Sequence, residues 1–133
     1  MAALNVLVVE DDAMIGTLLA EMLEDMGYNV CAVAATEDDA VADAARCKPG
    51  LIIADELLRE GNGSSAVARI LLAGPVPCVF ITGAPLRLSR SGKNVLRKPF
   101  VEGDLVRAIR EVVGGVDGPA VLVPAPGNVL PDY

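Results

Sequence analysis

This 133-residue chain has four short groups of residues whose types and spacing suit metal binding or group transfer. Each group follows a short apolar run; the groups are Glu10-Asp11-Asp12, Asp55-Glu56, Thr82-Gly83 and Lys98-Pro99-Phe100. Carboxylates that lie close together repel one another, and a hard divalent cation such as Mg²⁺ keeps them ionised at the lowest cost. A lysine ammonium and a threonine hydroxyl match the oxygens of a phosphoryl group. If the four groups meet, they predict a metal pocket and an aspartyl phosphate.

The elements that must bring these groups together are alternating strands and helices. Short apolar runs predict five strands, over Leu4–Val9, Asn29–Val33, Leu51–Ala54, Val79–Ile81 and Val95–Leu96. Apolar residues at helical spacing predict helices over Ala13–Gly27, Thr36–Cys47, Ser65–Ala73 and Glu102–Val113. This alternation predicts an α/β fold with a parallel sheet covered by helices. Because parallel strands point their carboxyl ends to one rim, the four polar groups are expected to meet there.

Each polar group alone has a simpler explanation. Asp12 fits a helix N-cap, Lys98–Pro99 fits a turn, and Thr82–Gly83 is uninformative by itself. What favours a functional site is that all four groups stand at strand ends of one repeating pattern.

Two segments depart from that pattern. In residues 83–94, where a further helix is expected, a proline near the start and a glycine near the end predict a short or irregular one. From residue 114 onward the chain is rich in Gly and Pro and has one apolar run, Ala120–Val123. We therefore expect a domain over residues 1–113 and a tail over 114–133, and the apolar run could dock back on the domain.

Composition excludes several classes of function. Eighteen acidic against eleven basic residues leave a net charge of −7, which is the wrong sign for direct binding to nucleic acid. The chain has no His, so it cannot use His as a catalytic base, as a metal ligand or as a phosphate carrier. The first apolar run ends at Val9 and is followed by Glu10, too early for a signal peptide or a membrane span. We expect a cytoplasmic protein without a membrane partner.

The three cysteines, Cys31, Cys47 and Cys78, are odd in number, widely separated and never in a C-x-x-C spacing. Their spacing therefore predicts neither a disulfide framework nor a zinc site. We interpret all three as core residues in a reducing compartment.

Together the motifs resemble the receiver domains of two-component response regulators, over about residues 4–113. VLVVEDD is similar to the acidic first-strand motif of that family, FITG to its switch motif and LRKPF to its lysine motif. The resemblance implies a flavodoxin-like (βα)5 three-layer sandwich with the parallel strand order 2-1-3-4-5. FITGAPLRL also resembles receivers of alphaproteobacterial stress-response and single-domain regulators, whose kinases are often of the HWE or HisKA2 type.

The resemblance implies a metal site with Asp55 as the phosphoacceptor. Asp11 would bind Mg²⁺ or Mn²⁺ directly and Glu10 through water. Asp55 and the backbone carbonyl of Leu57 would complete the ligand set.

A phosphate-binding and switch group is implied in the same way. Thr82 would be the switch hydroxyl, with Gly83 beside it, and Lys98 would bind the phosphoryl group. Lys98–Pro99 would be the cis peptide of the family. Val95 stands where the family commonly has an aromatic switch residue, so the switch is expected to act on the loop after Thr82.

The implied function is that of a stand-alone receiver that is not itself an enzyme on an external substrate. It would take a phosphoryl group from a sensor histidine kinase or a histidine phosphotransfer protein and signal through a downstream protein, a phosphorelay or a homodimer. A haloacid-dehalogenase-like phosphatase needs a second Asp where Leu57 stands. The alternative is a degenerate receiver that docks partners without phosphorylation.

Overall fold

The structure is a computed structural model that describes residues 4–56, 58, 60–82, 95–97, 102–113 and 121–122. The chain divides into two compact units, residues 1–78 and 79–133. In chain order the described elements are β1 Asn5–Val9, α1 Ala13–Asp25, β2 Asn29–Ala34, α2 Glu37–Cys47, β3 Leu51–Asp55, α3 Gly63–Leu71, β4 Cys78–Thr82, β5 Val95–Arg97, α4 Glu102–Val113 and β6 Val121–Leu122. Among these, no helix has both the length and the apolar composition that a membrane span requires.

The first unit is built on a parallel arrangement in which β1 lies between β2 and β3. Side chains on both faces of β1 and β3 are buried, and Val6, Leu7 and Ile53 are wholly inaccessible to solvent. A strand that is covered on both faces must be apolar at successive positions, which explains the unbroken apolar runs in the sequence. These two strands form the core that positions the site.

Side-chain caps define where the helices of the first unit begin. Asp12 Oδ1 accepts hydrogen bonds from the amides of Met14 and Ile15, and Thr36 Oγ1 accepts one from the amide of Asp39. The predicted start of the third helix at Ser65 is wrong by two residues. α3 begins at Gly63 because Asn62 Oδ1 accepts from the amide of Ser65 at 2.7 Å and so acts as the N-cap.

The second unit has the parallel order β4-β5-β6 and the amphipathic helix α4. α4 buries Leu105, Ala108 and Ile109. Val121–Leu122, within the predicted tail, forms a further strand beside β5. The α/β fold with parallel strands is therefore confirmed. Within the first unit the strand order is 2-1-3, and within the second unit β4 neighbours β5, both as the predicted order 2-1-3-4-5 requires. The predicted irregular helix in residues 83–94 lies outside the described residues.

The prediction that all three cysteines are unpaired core residues is wrong for two of them. Cys31 in β2 and Cys47 at the end of α2 form a disulfide, with their Cα atoms 6.2 Å apart. The pairing depends on how α2 returns along β2, which spacing alone does not reveal. Cys78 takes no part in this bond and is buried at the start of β4, as predicted.

Candidate functional site

Three of the predicted site residues meet at one edge of the first unit. β1 and β3 are neighbours with Val9 opposite Ala54, so the residues that follow these two positions come side by side. One carboxylate oxygen from each of Glu10, Asp11 and Asp55 lies within 4.8 Å of the others. The structure therefore brings these three carboxylates together, while their individual roles remain predictions.

The cluster is shielded from solvent. Glu10 is 3% exposed and Asp55 is 8% exposed, while Asp11 is half-buried. The backbone of Glu10 is fixed because its amide donates to the carbonyl of Ala34 at 2.8 Å. Its side chain is also held, since Oε2 accepts from the amide of Asp12 at 3.1 Å. The first carboxylate of the cluster is thus oriented by the turn between β1 and α1.

The donor set of this cluster fits a hard divalent cation. Three carboxylates at such short separation repel one another, and burial weakens the screening of that repulsion by water. All the donors are oxygens, which Mg²⁺ prefers and which softer metals prefer less. No His or Cys belongs to this cluster. Glu10, Asp11 and Asp55 are the described residues that could hold such an ion.

Gly63 packs against the backbone at Asp55, a contact that the sequence did not predict. A Cβ atom at position 63 would collide with the carbonyl oxygen of Asp55. The amide of Gly63 donates to the carbonyl of Glu56 at 3.0 Å, so the start of α3 packs directly on the end of β3. The glycine-rich stretch at 61–63 predicts a turn, but the close backbone approach is visible only in three dimensions.

Glu56, the carboxylate next to Asp55, has a partner on α3. The hydroxyl of Ser64 lies 2.7 Å from both of its carboxylate oxygens. This contact is a second feature that the sequence did not reveal. It connects the residue after Asp55 to the first turn of α3.

The remaining predicted site residues lie in the second unit or outside the described residues. Thr82 is the last residue of β4, in the second unit. The phosphate-binding Lys98 and its cis peptide to Pro99, Gly83, and the carbonyl of Leu57 fall outside the described residues, so those predictions remain predictions.

Comparison with known proteins identifies relatives of the chain. Residues 6–110 match the sequence profile described as the response regulator receiver domain. The phyllosphere-induced regulator PhyR of Methylorubrum extorquens is 34% identical over 117 residues, which is 84% of this chain and 44% of that protein. The chain therefore spans less than half the length of that curated relative.

Two solved structures are also similar. The solution structure of the Erythrobacter litoralis PhyR response regulator REC domain has a TM-score of 0.79 and 31% identity, covering 92% of this chain and 98% of that one. The co-crystal structure of the Bartonella quintana anti-anti-sigma factor PhyR with the anti-sigma factor NepR has a TM-score of 0.58 and 36% identity, covering 67% and 37% of the respective chains.

Proposed function

Because the chain belongs to the response regulator receiver domain family, we propose that it accepts a phosphoryl group on Asp55 and signals through protein partners. The observation that carries this proposal is the convergence of Glu10, Asp11 and Asp55, with one oxygen from each within 4.8 Å of the others. A buried cluster of this kind has the charge and the donor atoms to hold a cation beside a phosphoryl group.

The proposed reaction is an in-line transfer from a phosphohistidine of a partner protein. A carboxylate oxygen of Asp55 attacks phosphorus, the new P–O bond forms as the P–N bond breaks, and the electron pair stays on the imidazole nitrogen. Glu10, Asp11 and Asp55 would hold Mg²⁺ or Mn²⁺, with the carbonyl of Leu57. When bound, the cation offsets the negative charge of the transferred oxygens.

Two further side chains are assigned to the phosphoryl group. The ammonium of Lys98 would pair with one phosphoryl oxygen, and the hydroxyl of Thr82 would donate a hydrogen bond to another. The gain of this acceptor would bias the loop after Thr82 toward one of two arrangements.

The proposed partners are proteins. A sensor histidine kinase or a histidine phosphotransfer protein would supply the phosphoryl group in the cytoplasm. The Bartonella quintana relative is complexed with an anti-sigma factor. An anti-sigma factor is therefore the first downstream partner to test for this chain. The net charge of −7 supports a protein partner rather than nucleic acid.

Phosphate uptake from acetyl phosphate in the presence of Mg²⁺ tests the proposal. Wild type and Asp25→Asn, which changes an exposed carboxylate at the end of α1, should both gain one phosphoryl mass and shift on a phosphate-affinity gel. Asp55→Asn should gain none, because it lacks the nucleophile. Absence of uptake in wild type, with intact binding of a partner, would instead support the docking-only alternative.

A further inference from the structure

The carboxylate of Glu37, the first residue of α2, collects several hydrogen bonds from a different part of the chain. Its Oε1 accepts from the amide of Asn62 at 3.2 Å. Its Oε2 accepts from the hydroxyl of Ser65 at 2.7 Å and from the guanidinium of Arg69 at 3.1 Å. Its own amide donates to the carbonyl of Glu60 at 3.1 Å. Glu37 thus connects the start of α2 to α3 and to residues 60–62, the end of the β3–α3 loop (residues 56–62).

This loop is the segment that follows Asp55, and contacts hold it at both ends. At the near end the amide of Gly63 donates to the carbonyl of Glu56. At the far end Glu37 contacts Glu60 and Asn62, and it also closes the space beside Gly61. Gly61 has a φ of +91°, which a residue with a side chain rarely adopts. The position of residues 60–62 therefore depends on Glu37 as well as on their own sequence.

The surroundings of Glu37 favour the ionised form of its side chain. The hydroxyl of Ser65, the guanidinium of Arg69 and the amide of Asn62 lower the pKa of Glu37 below its ordinary value of 4.5. Arg69 also donates to Asp38 at 2.9 Å, so it bridges two of the three acidic residues in the first turn of α2. Glu37 is thus an ionised acceptor at neutral pH, and its side chain is only 17% exposed.

We propose that Glu37 is a positioning residue for the cation and phosphoryl site, acting by fixing the β3–α3 loop next to Asp55. This rests on the proposed function. Partners that orient a ligating segment from outside the ligand set commonly govern metal affinity. Glu37 does not belong to the acidic cluster of Glu10, Asp11 and Asp55, so its effect must pass through the loop.

The test is the Mg²⁺ affinity of the full chain, read from amide shifts of Glu10, Asp11 and Asp55 in an NMR titration. Glu37→Ala removes every side-chain acceptor of the loop contact and should weaken Mg²⁺ binding by about tenfold. Glu37→Gln keeps the volume and one acceptor, and should weaken it by roughly threefold. At saturating Mg²⁺, phosphate uptake from acetyl phosphate should be higher in Glu37→Gln than in Glu37→Ala, though lower than in wild type.

Asp38→Asn is the matched control. Asp38 accepts from the same guanidinium of Arg69, but it is highly exposed, and among the described residues its side chain bonds to Arg69 and not to the loop. As an exposed ion pair it should leave Mg²⁺ affinity within about twofold of wild type. Equal affinities for Glu37→Gln and Asp38→Asn would overturn the inference, and this comparison decides even where Glu37→Ala does not fold. Failure of wild type to bind Mg²⁺ would instead overturn the proposed function.

Discussion

Two kinds of contact surround Asp55: some residues lie beside its carboxylate, and another packs on its backbone. Glu10 and Asp11 supply the charges beside it, while Gly63 packs on its carbonyl oxygen. The two carboxylates could be predicted, because polar residues after neighbouring parallel strands must share an edge. The contact of Gly63 could not, since nothing in local spacing shows which backbone atom a turn approaches.

The Gly63 contact predicts a specific sensitivity to a methyl group. Gly63→Ala forces Cβ against the Asp55 carbonyl, so the backbone must shift, and we expect the free energy of unfolding to fall by about 2 kcal/mol. Phosphate uptake at Asp55 should fall as well. Urea unfolding followed by circular dichroism measures the first effect.

Gly103→Ala, in α4, is the control for this substitution. Among the described residues, no atom outside the adjacent residues and the helix's own backbone lies within 4 Å of the place that a Cβ at Gly103 would occupy. Alanine is the better helix former, so this variant should be at least as stable as wild type. Similar unfolding free energies for the two alanine variants would contradict the account of Gly63.

At the scale of elements, apolar periodicity predicted every strand of the first unit and the exact span of α4. Local hydrogen bonds made the helix starts predictable where a single residue caps them, as Asp12 and Thr36 do. Contacts between elements distant in sequence were not predictable. The connection of Glu37 to Asn62 and the pairing of Val121–Leu122 with β5 both depend on tertiary placement.

The disulfide between β2 and α2 predicts a stability that depends on reductant. It joins cysteines with a sequence separation of 16, and closing a loop of about 15 residues is worth about 3 kcal/mol. A thiol reductant should therefore lower the thermal unfolding midpoint of wild type. Disulfides rarely persist in a reducing cytoplasm, so in that compartment the protein would have the lower unfolding midpoint of its reduced form.

Two serine variants isolate this effect. Cys31→Ser should show the lower midpoint with or without reductant. Cys78→Ser, which leaves the disulfide intact, should keep its response to reductant. If wild type has the same midpoint in both conditions, the bond does not contribute to stability.

At the scale of the whole molecule, the acidic charge and the family define how the chain is proposed to signal. A net charge of −7 opposes binding to a phosphate backbone, so the proposed readout is a protein surface. The proposed domain over residues 1–113 covers the whole family match, which spans residues 6–110. The activity at Asp55 is thus expected to be passed on by a partner that distinguishes the phosphorylated from the unmodified chain.

The proposed phosphorylation of Asp55 can be tested by chemical mapping of the modified residue. Wild type is treated with acetyl phosphate and Mg²⁺, reduced with borohydride, which converts an acyl phosphate of Asp to homoserine, and digested for mass spectrometry. We expect homoserine at position 55 only when both acetyl phosphate and Mg²⁺ are present. Homoserine at another position, or at none, would contradict it.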